Sequence, residues 1–263
     1  MMPAGSRKDV ICLKLILLDL DDTLLRSDKT ISDYSIQVLH QCQQKGMLVG
    51  FVTARGETNI LNHIERVCPD LVISSGGALV RYRNEILHSC QISQEETRLL
   101  IDSAKDQYEI TVDTLEGHFW NYKEKPQMSD WGTIIYTDYQ EFSSPSLKVC
   151  IELPNEEMAR KTGLSLNECH YVKFANNDWY QFTHKDATKQ KAIARTGELL
   201  GIVPAEMIAF GDDFGDMEML AYCGVGAAMG NAIMPVKEIA DIVIGTNDED
   251  GVAHYLEQTY LNM

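Results

Sequence analysis

The sequence lacks the features of several protein classes. None of its seven cysteines forms a CxxC pair, and its seven histidines show no spacing typical of metal ligands, which argues against a zinc module. The apolar stretch near the N-terminus is too short to span a bilayer, and no small-residue cleavage site precedes the acidic residues that follow it. We therefore expect neither a secreted nor a membrane-bound protein.

Positive charge is also scarce. Lys and Arg number 23 against 39 Asp and Glu, which gives a formal net charge of -16. This field repels polyanions, so neither nucleic acid nor an anionic membrane is an expected partner, and any phosphate handled must be small and locally neutralised. The cysteines are scattered through apolar runs such as "DVICLKL", as is typical of reduced thiols in a cytoplasmic protein. We expect a monomer or a small homo-oligomer.

What is present is an α/β pattern at both ends of the chain. Apolar runs such as "ICLKLILLDL", "MLVGFVT" and "MIAFGD" alternate with segments of helical periodicity, the first of which is opened by Ser32 or Asp33. Apolar strands separated by helices are typical of a parallel sheet that is covered on both faces. The sequence predicts a Rossmann-like parallel-sheet core formed by residues 1–78 and 186–263.

The middle of the chain has a different pattern. Segments of alternating polarity, among them "EITVDT", "GHFWNY", "LKVCIEL" and "WYQFTH", are accompanied by convincing helices only near 93–107 and 155–166. Alternation predicts an antiparallel sheet with one covered face. Residues 79–185 are therefore expected to form an inserted α+β cap domain, which would contribute the substrate's contacts outside the phosphate.

Three carboxylates lie close together in "LLDLDDTLLRSDKTIS", residues 17–32. Asp19, Asp21 and Asp22 follow a predicted buried strand directly. Like charges at this spacing repel each other and are costly to desolvate, so a chain that keeps them together there is expected to use them. A turn or a helix cap is the ordinary alternative for such a cluster.

Further polar residues follow other predicted strands or begin a helix. They are Thr53 in "GFVTARG", Lys189 at the start of a helix, and Asp212 with Asp216 in "AFGDDFGDMEML". Singly, each has an ordinary explanation as a strand-end residue, a solvated lysine or a helix-terminal carboxylate. Because ligands of open α/β sheets bind beyond the carboxyl ends of the strands, we expect these pieces to converge there.

Phosphoryl transfer through a carboxylate nucleophile needs such a set. Carboxylate oxygens are ligands that Mg²⁺ prefers, and the metal would offset the repulsion between Asp19 and a phosphate dianion. Asp21 would protonate the leaving oxygen and later deprotonate the hydrolytic water. Thr53 and Lys189 would hold the phosphate oxygens, while Arg55 is either a further contact to an anionic substrate or an exposed loop residue.

These residues and their order resemble the haloacid dehalogenase superfamily, and within it the Cof-type sugar-phosphate phosphatases. The matching segments are "ILLDLDDTLL", "GFVTAR", "ATKQKAIARTGELLGI" and "IAFGDDFGDMEML", together with a closing segment that begins "VGAAMGNAIMPVKEIADIVIG". The resemblance implies a magnesium-dependent phosphatase in which Asp19 is the nucleophile and Asp21 the general acid and base.

The resemblance also assigns the remaining roles. It makes Thr53 and Lys189 the phosphate-binding residues, with Lys191 as the alternative lysine. It implies that the metal is bound by Asp19, by Asp21 through its backbone carbonyl, and by Asp212, with Asp216 as a further candidate. The chain departs from the family pattern at two positions: Asp22 replaces a frequent glycine, and Gly215 replaces the usual asparagine.

Two other classes of protein share parts of this pattern. A receiver-like phosphoacceptor module also uses aspartates, a threonine and a lysine, but it is about half as long and carries its phosphorylated aspartate on a later strand. A catalytically inactive phosphometabolite-binding protein on the same scaffold is the other alternative. The presence of both Asp19 and Asp21 favours an active enzyme. Asn231 is expected to cap the helix that follows it rather than to bind a ligand.

Overall fold

A computed structural model describes residues 13–122, 133–174 and 178–262. In chain order its strands are β1 Leu15–Leu18, β2 Leu48–Val52, β3 Leu71–Ser74, β4 Leu79–Tyr82, β5 Glu85–Ser89, β6 Ile110–Asp113, β7 His118–Trp120, β8 Ile134–Tyr136, β9 Lys148–Glu152, β10 Cys169–Lys173, β11 Trp179–His184, β12 Met207–Gly211, β13 Val225–Ala228 and β14 Ile242–Val243. The α-helices are α1 Asp33–Gln44, α2 Leu61–Val67, α3 Gln94–Ala104, α4 Glu156–Leu164, α5 Lys189–Leu200, α6 Met217–Tyr222, α7 Met234–Ile239 and α8 Gly251–Leu256.

The chain divides into two compact units. The first contains the residues up to Gly50 and those from Gly197 onward, and the second spans Phe51–Thr196. The chain passes between the units inside β2 and inside α5. The first unit therefore joins the two ends of the sequence, while the second contains the alternating segments together with the residues that flank them.

A parallel sheet organises the first unit. Its strands lie in the order β14, β13, β12, β1, and every neighbouring pair is parallel. All four residues of β1 are fully buried, and each buried leucine or isoleucine contributes roughly 1.5–3 kcal/mol relative to an exposed side chain. Helix α1 begins as predicted, because the Ser32 side chain accepts a hydrogen bond from the Ser35 N–H at 2.9 Å. The predicted α/β class with a parallel-sheet core is confirmed.

The second unit contains a six-stranded sheet in the order β10, β11, β9, β6, β7, β8. Its pairs are antiparallel except the last, because β8 runs parallel to β7; the prediction of an antiparallel sheet is wrong at this edge. One face of the sheet packs on a core that includes Leu100 and Ile101 of α3 and Ala159 of α4. The predicted helices near 93–107 and 155–166 are therefore present and cover this face.

Strands β4 and β5 were not predicted. They form a hairpin with its turn at Arg83 and Asn84, both in the left-handed region, and β4 pairs antiparallel with β3. Residues 79–89 thus add two strands beside β3, rather than belonging to the six-stranded sheet. Among the described cysteines none forms a disulfide, as expected for reduced thiols; Cys12 lies outside the described residues.

Candidate active site

Asp19 lies at the carboxyl end of the parallel sheet of the first unit. Strand β1 pairs with β12 so that Leu18 is opposite Phe210, and the Asp19 N–H donates to the Phe210 carbonyl at 3.1 Å. The aspartate therefore leaves the sheet beside Gly211, the last residue of β12. Its side chain is buried. Sequence reasoning expected this convergence of two strand ends, and the register of β1 on β12 is what produces it.

The chain then makes one wide turn over Leu20–Leu24. The Leu24 N–H donates to the Asp19 carbonyl at 3.3 Å, and Asp22 adopts a left-handed conformation with φ of 56°. Aspartate tolerates this conformation better than most residues, and glycine tolerates it best. Asp22 therefore shapes the turn through a backbone geometry that a glycine at this position would adopt even more readily.

The carboxylate of Asp21 lies on the open side of this turn. It forms an ion pair with Lys29 at 3.2 Å, and the same ammonium group is 3.5 Å from Asp22. About 39% of the Asp21 side chain is exposed, so this carboxylate can exchange protons with water or with a bound molecule. Asp21 is not one of the three carboxylates, Asp19, Asp212 and Asp216, whose oxygen atoms lie close together.

Three carboxylates from two loops meet in the first unit. Oxygen atoms of Asp19, Asp212 and Asp216 all lie within 4.8 Å of one another. Asp216 is oriented by its Oδ2 atom, which accepts from the N–H groups of Asp212 at 3.0 Å and Asp213 at 3.2 Å. It therefore closes its own turn, as a helix-terminal carboxylate does, and also joins the cluster.

Gly211 makes room for this arrangement. A Cβ atom at this position would lie 2.6 Å from the Asp216 Cγ atom and 2.8 Å from its Oδ2 atom. Any larger residue would therefore displace Asp216. Gly215, in contrast, has open space where a side chain would be, so the departure from the family asparagine leaves the packing of this loop unchanged.

The cluster raises the pKa of one member strongly. Burial, reinforced by the neighbouring charges of Asp216, Asp22 and Asp213, raises the pKa of Asp212 to about 7. A hydrogen bond from Thr23 Oγ1 to Asp212 Oδ1, 2.8 Å long, acts in the opposite direction. Thr23 was not identified from the sequence, although its place two residues after Asp21 in "DLDDT" is a usable signal.

Thr53 follows β2 in the second unit and is almost fully buried. Its N–H donates to the Ile73 carbonyl at 2.8 Å, its carbonyl accepts from the Gly76 N–H at 3.0 Å, and its Oγ1 atom accepts from the Arg55 N–H at 3.1 Å. The backbone of this loop is therefore fixed against the end of β3. Arg55 is partly buried rather than fully exposed.

Lys189 begins α5, and Thr188, the residue before it, lies against Gly77 in the segment that follows β3. Gly77, in the left-handed region at φ of 111°, lies so close to Thr188 that a Cβ atom would overlap the Thr188 carbonyl. Gly76 donates to the Thr53 carbonyl, and the next residue, Gly77, contacts Thr188. This segment therefore links the Thr53 loop to the start of α5. Lys191, the alternative lysine, pairs with Asp186 at 2.7 Å.

Asn231 does not cap a helix, so that prediction is wrong. The residue before α7 is Ile233, and Asn231 instead donates from Nδ2 to the Asp22 carbonyl at 2.7 Å. Its Oδ1 atom accepts from the Asn247 N–H at 3.0 Å, and the Asn247 side chain donates to the Leu25 carbonyl at 3.0 Å. The two asparagines therefore hold both sides of the turn that carries Asp21.

The chain belongs to the haloacid dehalogenase-like hydrolase family, whose model matches residues 16–256. It is 24% identical over 264 residues to a 5-amino-6-(5-phospho-D-ribitylamino)uracil phosphatase of Bacillus subtilis, covering 94% of this chain and 97% of that protein. It is 27% identical over 259 residues to the HMP-PP phosphatase of Yersinia enterocolitica, covering 93% and 94%. The expected superfamily, and with it a hydrolase, is confirmed.

Solved structures agree with this assignment. A haloacid dehalogenase-like hydrolase from Bacteroides thetaiotaomicron superposes with a TM-score of 0.85 at 24% identity, covering 94% of this chain and all of that one. A sugar phosphatase of subclass IIB superposes with a TM-score of 0.79 at 25% identity, covering 93% and 98%.

Across the described part of the chain, no helix combines the length and the apolar character that a membrane crossing requires.

Proposed function

We propose that this protein is a magnesium-dependent phosphomonoesterase that hydrolyses small phosphorylated metabolites, sugar phosphates in particular, through an aspartyl-phosphate intermediate. The observation that carries the proposal is the cluster of Asp19, Asp212 and Asp216, whose carboxylate oxygens lie within 4.8 Å of one another. Three carboxylates are crowded in this way at a cost in repulsion and desolvation, and a bound cation removes that cost.

The donor set fits Mg²⁺. All three side chains offer carboxylate oxygens, which are hard ligands, and they include neither histidine nor thiolate. Asp19 and Asp212 would hold the ion together with Asp216 and the backbone carbonyl of Asp21. When bound, the ion would neutralise the charge of the phosphate and of the carboxylates around it.

The chain's own residues then divide the reaction between them. An oxygen of Asp19 forms a bond to phosphorus as the bond from phosphorus to the ester oxygen breaks, and Asp21 gives its proton to that oxygen. Asp21 next takes a proton from water, which attacks the aspartyl phosphate and releases inorganic phosphate while Asp19 is regenerated. Thr53, Lys189 and Arg55 would bind the phosphate oxygens.

The choice of small metabolites rests on charge and on the relatives. A net charge of -16 disfavours polyanionic substrates. The names of the Bacillus subtilis and Yersinia enterocolitica relatives describe phosphatases of small phosphorylated molecules, and that of the subclass IIB structure describes a sugar phosphatase. These properties support a phosphate ester of low molecular mass as the substrate.

The test is a hydrolysis screen over a panel of phosphorylated metabolites, with Mg²⁺ and with a chelator. We expect release of phosphate from a subset of sugar phosphates or similar esters, dependent on Mg²⁺ and lost in Asp19→Asn. Binding of the same compounds without turnover in the presence of Mg²⁺ would instead support the inactive binding protein. Phosphate release that persists in Asp19→Asn would exclude this residue as the nucleophile.

A further inference from the structure

A buried cluster of ionisable residues lies on the polar face of the six-stranded sheet. Asp113 of β6 is opposite His118 of β7 and opposite Lys148 of β9, so the three side chains form a row across the sheet. The His118 Nδ1 atom lies 2.5 Å from Asp113 Oδ1, and the Lys148 Nζ atom lies 3.0 Å from Asp113 Oδ2. The three residues are only 2% to 7% exposed. Charges this deeply buried persist only when they are paired.

The cluster contacts the loop that follows Thr53. Lys148 donates from Nζ to the Ala54 carbonyl at 3.2 Å. Gly56 approaches Asp113 so closely that a Cβ atom on it would lie 2.7 Å from Asp113 Oδ2. The loop is thus held from two sides, because the Arg55 carbonyl also accepts from the Ser75 N–H at 2.7 Å.

The Ala54 carbonyl belongs to the same peptide group as the Arg55 N–H. That N–H donates to Thr53 Oγ1 at 3.1 Å. An ammonium group on the carbonyl oxygen polarises the peptide and makes its N–H a stronger donor. Because the Thr53 hydroxyl accepts this bond, its own hydrogen is directed to another acceptor.

We propose that Lys148, held by Asp113 and His118, is a positioning residue for phosphate binding. It fixes and polarises the Ala54–Arg55 peptide, and this peptide aims the Thr53 hydroxyl at a phosphate oxygen. The inference rests on the proposed function, in which Thr53 binds phosphate. It goes beyond the family motifs, since it assigns a role at the phosphate to a residue of the six-stranded sheet.

The charge states agree with this arrangement. Burial alone would lower the pKa of Lys148 and raise that of Asp113. The attraction between the two groups outweighs burial, so that the pKa of Lys148 is raised; at Asp113 a hydrogen bond with His118 adds to this attraction, and the pKa of Asp113 is lowered. Lys148 therefore stays protonated at neutral pH and can polarise the Ala54 carbonyl.

Two other roles would also make Lys148 matter. Its charge could attract phosphate as a general field, without any involvement of Thr53, or it could serve only the folding of the sheet. A double-mutant cycle between Lys148→Met and Thr53→Ala separates these possibilities, because residues that act through one another show non-additive effects. The readouts are kcat and KM for p-nitrophenyl phosphate and the affinity for inorganic phosphate as a competitive inhibitor.

We expect Thr53→Ala to weaken phosphate affinity by about 10- to 100-fold, as for a lost hydrogen bond to a charged group. Lys148→Met should weaken it by roughly 3- to 10-fold alone and by less than about 2-fold when Thr53 is already alanine. Thr53→Ser keeps the hydroxyl, so in this variant Lys148→Met should again weaken phosphate affinity as strongly as it does in the wild type. Multiplicative losses in the double variant would overturn the proposal, and so would an unchanged phosphate affinity in Lys148→Met.

Two controls separate a role in phosphate binding from an effect on folding. Lys173→Met removes an exposed lysine that pairs with Asp178 on the same sheet, and it should leave phosphate affinity unchanged. If Lys148→Met alone unfolds, the neutral pair Asp113→Asn with Lys148→Met leaves no unpaired buried charge and enters the same cycle. Calorimetric binding of inorganic phosphate completes the cycle even if no ester is hydrolysed, so an inactive enzyme would refute the proposed function alone.

Discussion

The carboxylate cluster should make the metal-free protein less stable than a variant that lacks one of its charges. Asp212 is the member to change, because its pKa is raised to about 7 from an ordinary 3.8. Asp212→Asn keeps the shape of the side chain and an Oδ1 acceptor for Thr23, whose hydroxyl donates to Asp212 at 2.8 Å. The variant therefore removes the charge with little other change.

The direction follows from proton linkage. A carboxyl group with a raised pKa in the folded state holds a proton that the unfolded chain releases, so stability falls as pH rises from about 4 to about 7. The full difference between the two pKa values corresponds to ~4 kcal/mol. Asp212 is only partly buried, and solvent screening reduces this to about 1–2 kcal/mol. Asp212→Asn should be more stable than the wild type by that amount at pH 8.

Urea unfolding in the presence of a chelator, at pH 5 and at pH 8, measures this difference. The advantage of Asp212→Asn should shrink at pH 5, where the wild-type carboxyl group is protonated in the folded state. Added Mg²⁺ should stabilise the wild type and have little effect on the variant. Asp213→Asn changes the same charge in an exposed neighbour and should give a smaller gain. The reasoning fails if Asp212→Asn is less stable at pH 8, or if its advantage does not depend on pH.

Three further predictions concern the reaction. Asp19→Asn should lower turnover by about three orders of magnitude or more while the fold is retained, since an amide cannot form the acyl phosphate; circular dichroism and steady-state kinetics test this. Asp21→Asn should lower the single-turnover rate at which an alkyl phosphate phosphorylates the enzyme by about 10²- to 10⁴-fold. The rate with p-nitrophenyl phosphate should fall much less, because its leaving group needs no proton. Equal losses with both esters would mean that Asp21 has only a structural role. Gly211→Ala should weaken the apparent Mg²⁺ affinity about 10- to 100-fold by displacing Asp216, whereas Gly215→Ala should not; calorimetry compares the two.

The architecture was predictable where local signals and burial agree. The run "LILL" is fully buried as β1, and Ser32 caps α1 as its type and position indicated. The hairpin of β4 and β5 was missed because its strands are short and β5 is largely exposed, so that neither shows the periodicity of a buried strand. Strand β8 was missed for the same reason, as its three residues are mostly exposed.

The site was predictable only as far as strand ends converge. The pairing of β1 with β12 brings Asp19 beside Gly211, and the general rule for open α/β sheets anticipates that meeting. The contact of Lys148 with the Ala54 carbonyl follows no such rule. This contact depends on the tertiary packing of β9 against the loop after Thr53, which is distant in sequence. Neither the residue types nor their spacing in the sequence predicts that packing.

The carboxylate cluster explains why the segment after β13 is part of the site. Mutual repulsion would open the turn that carries Asp21 unless other contacts hold it closed. Asn231 holds the Asp22 carbonyl, and the Asn247 side chain, which is buried, holds the Leu25 carbonyl. Both bonds come from amide groups, which supply donors without adding charge to the cluster. The turn can therefore remain closed without a further charge beside it, and the repulsion among the ionised carboxylates of the cluster is left to favour a cation.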